Sequence, residues 1–443
     1  MEKTKLRAEA LMLTPKEFKM NYHEALSYIH GVNHTFCKPG LERISALCEA
    51  LGNPQKKLKF VHVAGTNGKG STSCMLASIL KQAGYRTGLY TSPYIYRFNE
   101  RMQINGLEIE DTALAELVSE IAPIADKMSD RPTEFELITA VAFEYFRRER
   151  CDIVVLEVGM GGRFDSTNII EEPLLSIITG ISLDHVAFLG DTVEKIAFEK
   201  AGIIKEGRPV IFGGENEEAL AVIKKRSLAL SAPFYTVDHS LIHDTSMSLS
   251  GTEFSFGEWK NVRLSLLGAY QPKNASLVLK SVEILRDSGL KIDTGAVYDG
   301  IREARWRARF EIISKNPTVI FDGGHNVEGI AAAVNSIKEY YPNGRVAVMS
   351  GVLADKDYRA IARSISEVAA SAFTITPDNP RALPAEKYSE VLSEYGVSAI
   401  AYHSIKEALK SAIAYAKENQ VPLFCLGSLY TYGSVLDAIK ENI

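Results

Sequence analysis

The stretch 60-FVHVAGTNGKGSTSCMLASIL-80 decides how the rest of the chain is read. An apolar run suited to a strand passes into a glycine-rich turn with one lysine, and hydroxyl residues then open a segment of helical period. Glycines let backbone N–H groups approach phosphate oxygens, a helix N-terminus offers a positive dipole, and Lys69 adds a point charge. Gly65, Thr66, Asn67, Gly68, Lys69, Gly70 and Ser71 therefore form a candidate phosphate loop. It is shorter than the usual G-x-x-x-x-G-K-[ST] pattern, because Val63 stands five residues before Gly68 and Gly70 follows Lys69. A bare glycine-rich turn also occurs as an ordinary surface connection. The order of strand, turn, lysine and hydroxyl-rich helix start favours nucleoside triphosphate binding and names no reaction.

Outward from this loop, apolar runs alternate with helical segments: 87-TGLYTS-92, 153-IVVLEVG-159, 176-SIITGI-181, 209-PVIFGG-214, 318-TVIFDGG-324, 346-VAVMSG-351 and 421-VPLFCLG-427. Such alternation predicts an α/β fold with a mainly parallel sheet. Helices are expected over 71–84, 133–150, 192–202 and 274–289. Between Ala232 and Leu267 the pattern becomes alternating and Ser/Thr-rich, which predicts a small antiparallel appendage to the first sheet. A fresh strand-helix alternation follows, so a boundary is placed near Trp306. Residues 1–306 are read as a large P-loop-type ATPase domain and 307–443 as a smaller Rossmann-like domain.

Composition narrows the function classes. The 443 residues carry 55 acidic and 50 basic side chains, a net charge of −5, and no basic run longer than Lys224-Lys225-Arg226. No nucleic-acid partner is expected from so weak a field. The cysteines at 37, 48, 74, 151 and 425 are odd in number and never form a Cys-x-x-Cys pair. That argues against a disulfide framework or thiolate metal site and for a reducing, cytoplasmic setting. Glu2, Lys3, Lys5 and Arg7 precede no apolar core, and no window approaches about 18 uncharged apolar residues. A soluble, unexported protein without a membrane partner is expected.

A second constellation surrounds 153-IVVLEVGMGGRFDSTN-168 and 178-ITGISLDHVAFLG-190. Glu157 lies inside an apolar strand, where a carboxylate is costly unless paired or bound to a cation, and glycines just beyond it admit a close neighbour. Asp184 and His185 end the next strand. Carboxyl ends of strands are where open α/β sheets bind ligands. Glu157 and His185 with a hydroxyl suit magnesium, which favours oxygen ligands and shares substrate phosphates. Alone, Glu157 also reads as a buried ion pair and His185 as a capped turn. Lys200, on the helix 194-EKIAFEKAGIIK-205, reads equally as a solvated lysine.

Together these residues resemble one family, the folylpolyglutamate synthase and dihydrofolate synthase enzymes of the Mur ligase superfamily. The resemblance rests on 62-HVAGTNGKGST-72, 90-YTSPYIYRFNERM-102, 133-TEFELITA-140, 157-EVGMGGRFDSTN-168, 182-SLDHVAFLG-190, 199-EKAGIIK-205 and 322-DGGHN-326, in order across about residues 20 to 435. It implies an ATPase domain, a Rossmann-like domain and an active site between them. By resemblance, Ser92, Glu157, His185 and Lys200 would hold magnesium, as two ions, with Lys200 carbamylated by CO2. Lys69, Glu157, His185 and Lys200 would be catalytic. Asn274, Arg309, Asp322 and His325 would contact ATP together with the phosphate loop, and Thr133, Glu134, Phe135 and Phe164 would line the pterin or folate pocket. The four pocket residues also suit a helix core and a glycine-flanked turn.

The implied reaction activates a carboxylate of dihydropteroate or folate with ATP as an acyl phosphate, which the amine of L-glutamate then attacks, releasing ADP and phosphate. A monomer is expected from the resemblance. Tyr94 replaces a common histidine, Gly323 a usual alanine, and Arg307-Ala308 stands where Pro-Gly often precedes the arginine. Another Mur-type ligase with a different acceptor would share the ATP chemistry, whereas a P-loop switch or kinase would carry Ser or Thr directly after the lysine. The stretch 425-CLGSLYTYGSV-435 reads as an aid to glutamate binding or domain docking, or equally as sheet packing.

Overall fold

The computed structural model describes residues 19–32, 39–342 and 344–441; Cys37 and the charged residues at positions 2–7 lie outside them. Two compact units emerge. One takes in the chain up to Asp238 together with Leu277–Gly300, and the other His239–Ser276 together with the chain from Ile301.

In the first unit the apolar runs become the strands of one eight-stranded sheet: β1 (Phe60–Ala64), β2 (Thr87–Tyr90), β3 (Met102–Ile104), β4 (Leu107–Glu108), β5 (Ile153–Glu157), β6 (Leu175–Ile178), β7 (Val210–Phe212) and β8 (Phe234–Thr236). Their order is β4-β3-β2-β5-β1-β6-β7-β8. Pairing is parallel from β2 through β8, and the two edge hairpin contacts β2–β3 and β3–β4 are antiparallel. Strand β1 lies between β5 and β6, with Val63 opposite Glu157 and Val61 opposite Leu175. All five residues of β1 and of β5 are buried, as expected for a parallel sheet covered on both faces.

The cover is helical. Leu137, Phe143 and Phe146 of the helix Glu134–Arg148 belong to one buried cluster with Phe60, Tyr90 and Leu156. Ile196 and Ala197 of the helix Val193–Lys200 join a second cluster with Ala64, Ile178 and Phe212. The helix Glu134–Arg148 begins in a capping box. Thr133 Oγ1 accepts Glu136 N–H at 3.3 Å, and Thr133 N–H donates back to Glu136 Oε2 at 2.6 Å.

The second unit carries two sheets. Strands β9 (Ile242–Ser248), β10 (Gly251–Phe256) and β11 (Trp259–Leu264) form an antiparallel three-stranded sheet of their own. Strands β12 (Glu311–Lys315), β13 (Thr318–Asp322), β14 (Val346–Ser350), β15 (Ala369–Thr374), β16 (Ser398–Ala401) and β17 (Leu423–Leu426) form a six-stranded sheet in the order β12-β13-β17-β14-β15-β16. Only β12–β13 is antiparallel among its pairs.

The antiparallel strands expected after Ala232 are present, as a separate sheet rather than an extension of the first. The chain passes between units at 238/239, 276/277 and 300/301, where the sequence reading places a single boundary near Trp306. The last two passages fall within the helices Gln271–Asp287 and Thr294–Glu303, so no break in helical pattern marks them. Among the described residues no helix is long and apolar enough to cross a membrane.

Replacing Thr133 with Ala removes the acceptor of the capping box. Chemical denaturation is expected to show a loss of about 1 kcal/mol.

Candidate active site

Four strand ends in the first unit, those of β1, β2, β5 and β6, carry the candidate site, because parallel strands bring their carboxyl ends to one edge. The loop after β1 is held from β6. Thr66 N–H donates to Gly180 O at 2.8 Å, Thr179 Oγ1 donates to Asn67 O at 2.7 Å, and Ser182 N–H donates to Thr66 Oγ1 at 3.1 Å. A Cβ on Gly65 would lie 1.7 Å from Thr179 Oγ1, so only glycine admits this approach. Gly68 turns the chain with φ 86° into the helix Lys69–Gln82, whose N-terminus has no side-chain cap. Gly68 brings no side chain to that N-terminus, which follows the loop directly, the arrangement of an anion-binding turn.

Two lysines converge on one carbonyl of this loop. Lys69 Nζ donates to Gly65 O at 3.1 Å and to Thr66 O at 3.2 Å, while Lys200 Nζ donates to Gly65 O at 2.8 Å. Lys200 is only 4% exposed, so it is not the solvated lysine that its sequence position allows. Burial, followed by the charge of Lys69, brings its amine down to about 7.

Glu157 ends β5 and is buried, and Ser92 follows β2. Ser92 N–H reaches Glu157 Oε2 at 3.4 Å, and Ser92 Oγ is buried with no hydrogen-bond partner. His185 adopts a left-handed conformation, φ 50°, before the short helix Val186–Leu189. Its amide donates to Asp184 Oδ1 at 2.8 Å, and its Nε2 lies 3.9 Å from Asp184 Oδ2. A non-glycine residue held in that conformation carries strain of the kind found at functional sites. Among the described residues no three His, Cys, Asp or Glu side chains gather into a metal cluster. The donors are a hydroxyl, a carboxylate and an imidazole at strand ends and an amine at the end of the helix Val193–Lys200.

The glycine-rich segment after β5 packs against the Lys200 helix end. Arg163 N–H donates to Glu199 O at 2.8 Å, and a Cβ on Gly162 would meet Glu199 O at 2.8 Å and Lys200 O at 3.0 Å. Asp165 holds this segment from inside, its Oδ2 accepting Met160 N–H at 2.9 Å and its Oδ1 accepting Thr167 Oγ1–H at 2.5 Å. Because that hydroxyl proton goes to Asp165, Thr167 accepts from His62 Nε2–H, 2.9 Å away. Burial pushes His62 down to about 3, so its ring is neutral. Burial raises Asp165 despite its donors. His62, Asp165, Thr167 and Thr179 carry no site role in the sequence reading. Their signal there is a polar residue inside or just beyond an apolar strand.

The expected pterin residues do not act alike. Thr133 is engaged in the capping box, and Glu134 Oε1 lies 3.4 Å from His30 Nδ1. Phe135 packs 6.3 Å from Tyr90, ring centre to ring centre, and fills the space a Cβ on Gly159 would need. Phe164 is 44% exposed, with the Arg163 guanidinium 4.3 Å from its ring centre. Each ring has its own partner, and the exposed Phe164 is the one open to a flat ligand.

In the second unit, Asn274 Nδ2 donates to Gln271 Oε1 at 2.9 Å, and His325 Nδ1 lies 3.2 Å from Gly323 O. Asp322, 2% exposed, accepts from Tyr270 OH at 2.7 Å, Phe310 N–H at 3.0 Å and Gly324 N–H at 2.8 Å. Burial and this carboxylate hold the Tyr270 phenol well above its usual range, hence protonated and donating. Arg309 stands between Ala308 and Phe310, both buried and both in the left-handed region.

Comparison with known proteins gives a consistent picture. The Mur ligase middle domain matches residues 63–282 and the Mur ligase glutamate ligase domain residues 308–428. The dihydrofolate synthase/folylpolyglutamate synthase of Bacillus subtilis is 38% identical over 434 residues, covering 95% of this chain and 99% of its own. The folylpolyglutamate synthase of Lacticaseibacillus casei is 34% identical, covering 94% and 98%. Among solved structures, Mycobacterium tuberculosis folylpolyglutamate synthase complexed with ADP and AMPPCP aligns with a TM-score of 0.87 at 29% identity, covering 95% of this chain and 98% of that one. Escherichia coli FolC in complex with DHPP and ADP aligns with a TM-score of 0.84 at 31% identity, again covering 95% and 98%.

The Lys200 amine titrates near 7 in the fold and at its ordinary value of 10.5 once unfolded. Between those values the unfolded chain binds the extra proton, so this lysine makes stability rise with pH from about 7 to about 10.5. Denaturation across that window is expected to show a steeper rise for the native protein than for Lys200→Met, which lacks the group.

Proposed function

We propose, because this chain belongs to the dihydrofolate synthase/folylpolyglutamate synthase family of Mur ligases, that it joins L-glutamate to dihydropteroate, to reduced folates, or to both, at the expense of ATP. The observation that supports this best is the buried Lys200 amine on Gly65 O, in the phosphate loop that leads into the helix Lys69–Gln82. A loop that only cradled phosphate would have no use for a second lysine brought out of water at such cost.

A carboxylate does not acylate an amine at neutral pH, so the acceptor carboxylate first attacks the γ-phosphorus of ATP and ADP leaves. Lys69, released from its carbonyl contacts, neutralises charge on the transferring oxygens, and the amides of Gly68 to Ser71 hold the phosphates. The glutamate amine then attacks the acyl carbon, phosphate departs, and the amine proton passes to solvent or base. Asn274, Arg309, Asp322 and His325 are assigned to the nucleotide. Asp322 does this with both oxygens already accepting protein donors, so its part is to hold the surrounding loop as much as to meet the ligand. Phe164 and Phe135 are assigned to the pterin, Thr133 and Glu134 to the wall behind Phe135.

Magnesium fits the residues present. The orphaned Ser92 hydroxyl is buried beside the Glu157 carboxylate, and a buried hydroxyl without a partner is costly unless something binds it. Ser92, Glu157, His185 and a carbamylated Lys200 are the ligands we assign, and the metal would supply positive charge to the phosphate oxygens. A neutral Lys200 amine can add to CO2 and lose a proton, giving a carbamate anion. That replaces the repulsion between Lys69 and Lys200 with an attraction. We further assign a monomer working in the cytoplasm.

Phosphate release from ATP, with magnesium and L-glutamate present, is expected to depend on added dihydropteroate or tetrahydrofolate, with glutamyl adducts found by mass spectrometry. Release indifferent to both acceptors overturns the substrate assignment. Lys69→Ala and Glu157→Gln are expected to slow ligation by roughly several hundredfold, and wild-type rates in either would sink the mechanism. Carbon-13 bicarbonate should give a protein carbamate resonance that disappears in Lys200→Arg; an unchanged spectrum removes the carbamate.

A further inference from the structure

The loop that presents Arg309 is built at a cost. Ala308 and Phe310, on either side of it, have φ of 54° and 46°, a region disfavoured for residues with a Cβ. Both are fully buried while Arg309 between them is not, so the backbone turns one side chain in, the next out and the third in. Left-handed backbone of this kind persists only where its surroundings over-determine it.

The surroundings are two carboxylates, one for each strained residue. Ala308 N–H donates to Glu311 Oε2 at 2.7 Å, and Phe310 N–H donates to Asp322 Oδ2 at 3.0 Å. Each carboxylate is aimed in turn by a tyrosine: Tyr432 OH donates to Glu311 Oε2 at 3.0 Å, and Tyr270 OH to Asp322 Oδ2 at 2.7 Å. Tyr432 is 1% exposed and its ring meets Phe321 edge-on, with centres 5.0 Å apart. Its hydroxyl therefore has a fixed position. Gly323 N–H closes the arrangement on Ala308 O at 2.8 Å.

We propose that Glu311 and Tyr432 are positioning residues for nucleotide binding, which clamp the backbone beside Arg309 so that its guanidinium is held ready for phosphate. This rests on the reading that Arg309 meets the nucleotide. The clamp gives the 425–435 stretch a task that neither glutamate binding nor plain sheet packing describes. A guanidinium on a pinned backbone loses less freedom on binding than one on a mobile loop, and the gain appears in nucleotide affinity alone.

The test is a double-mutant cycle read by calorimetric titration of ADP and by KM for ATP and for the pterin acceptor. Glu311→Ala is expected to raise the ADP Kd and the KM for ATP on the order of tenfold, as loss of a charge-assisted hydrogen bond does, with the acceptor KM unmoved. In the Arg309→Ala background the same change should add nothing further, because its effect passes through Arg309. Tyr432→Phe keeps the ring and removes only the hydroxyl, so it reads the clamp even where Glu311→Ala folds poorly. It should give a smaller rise of the same selectivity. Effects of Glu311→Ala and Arg309→Ala that multiply, or ATP and acceptor KM values that rise together, overturn the clamp. An Arg309→Ala protein with native ADP affinity overturns the nucleotide reading itself, and that single variant tells the two failures apart.

Discussion

One carbonyl oxygen organises the first unit. Gly65 O accepts from both Lys69 and Lys200, and two ammonium groups brought to one carbonyl repel each other and weaken the hold on a proton. Lys200 is the more deeply buried of the two, and burial followed by the charge of Lys69 brings its amine down to about 7. Everything nearby follows from bringing the two lysines together. Gly65 must lack a Cβ because Thr179 closes over it, and Gly162 must lack one because Glu199 O and Lys200 O approach it. The parallel pairing of β6, β1 and β5 then sets the phosphate loop, Glu157 and the 179–182 turn on one edge. A shift of one residue in that register would send Glu157 to the opposite face.

Much of this edge was legible from residue order. Strand β1, the glycine turn and the helix after it appear where 60-FVHVAGTNGKGSTSCMLASIL-80 places them, because a fully buried parallel strand reads as a continuous apolar run. Strands β15 and β16 were not expected. Their sequences, 369-AASAFT-374 and 398-SAIA-401, are rich in alanine and serine, which carry little β preference, and pairing makes them strands, β15 on β14 and β16 on β15. The sharing of the helices Gln271–Asp287 and Thr294–Glu303 between units was hidden for a related reason. A helix keeps its period whichever unit its residues join.

The site divides in the same way. Glu157, Ser92 and Lys200 could be named from motif and resemblance, but only the fold shows the hydroxyl to be orphaned and the amine to be buried. The hydrogen-bond chain from His62 through Thr167 to Asp165 was out of reach, since His62 and Thr167 lie on segments about a hundred residues apart in sequence. Thr133 and Asp322 show the fold adding a second task to a residue named from its segment. Both sit in segments that resemblance links to ligands, and both spend their oxygens on the protein, Thr133 on a helix N-terminus and Asp322 on three donors. A residue that already accepts from its own backbone neighbours also acts on a ligand through the backbone it holds.

That principle also explains two departures that look unrelated in the sequence. Ala308 stands where glycine is common in the resembling family and Gly323 where alanine is usual, and the two meet through the bond from Gly323 N–H to Ala308 O. A Cβ on Gly323 would lie 2.1 Å from Leu429 Cδ2 and 3.2 Å from Ala308 O, so alanine at 323 is excluded unless Leu429 moves. A methyl is therefore missing from one side of this hydrogen bond and present on the other. Its presence on Ala308 forces a Cβ into left-handed backbone, a strain of about 1 kcal/mol or more. Glycine at 308 would reach that conformation freely and would need no carboxylate to keep it there. With alanine, the hydrogen bond from Ala308 N–H to Glu311 and the tyrosine behind it become the elements that keep the loop in shape, so the departures and the clamp are two sides of one solution.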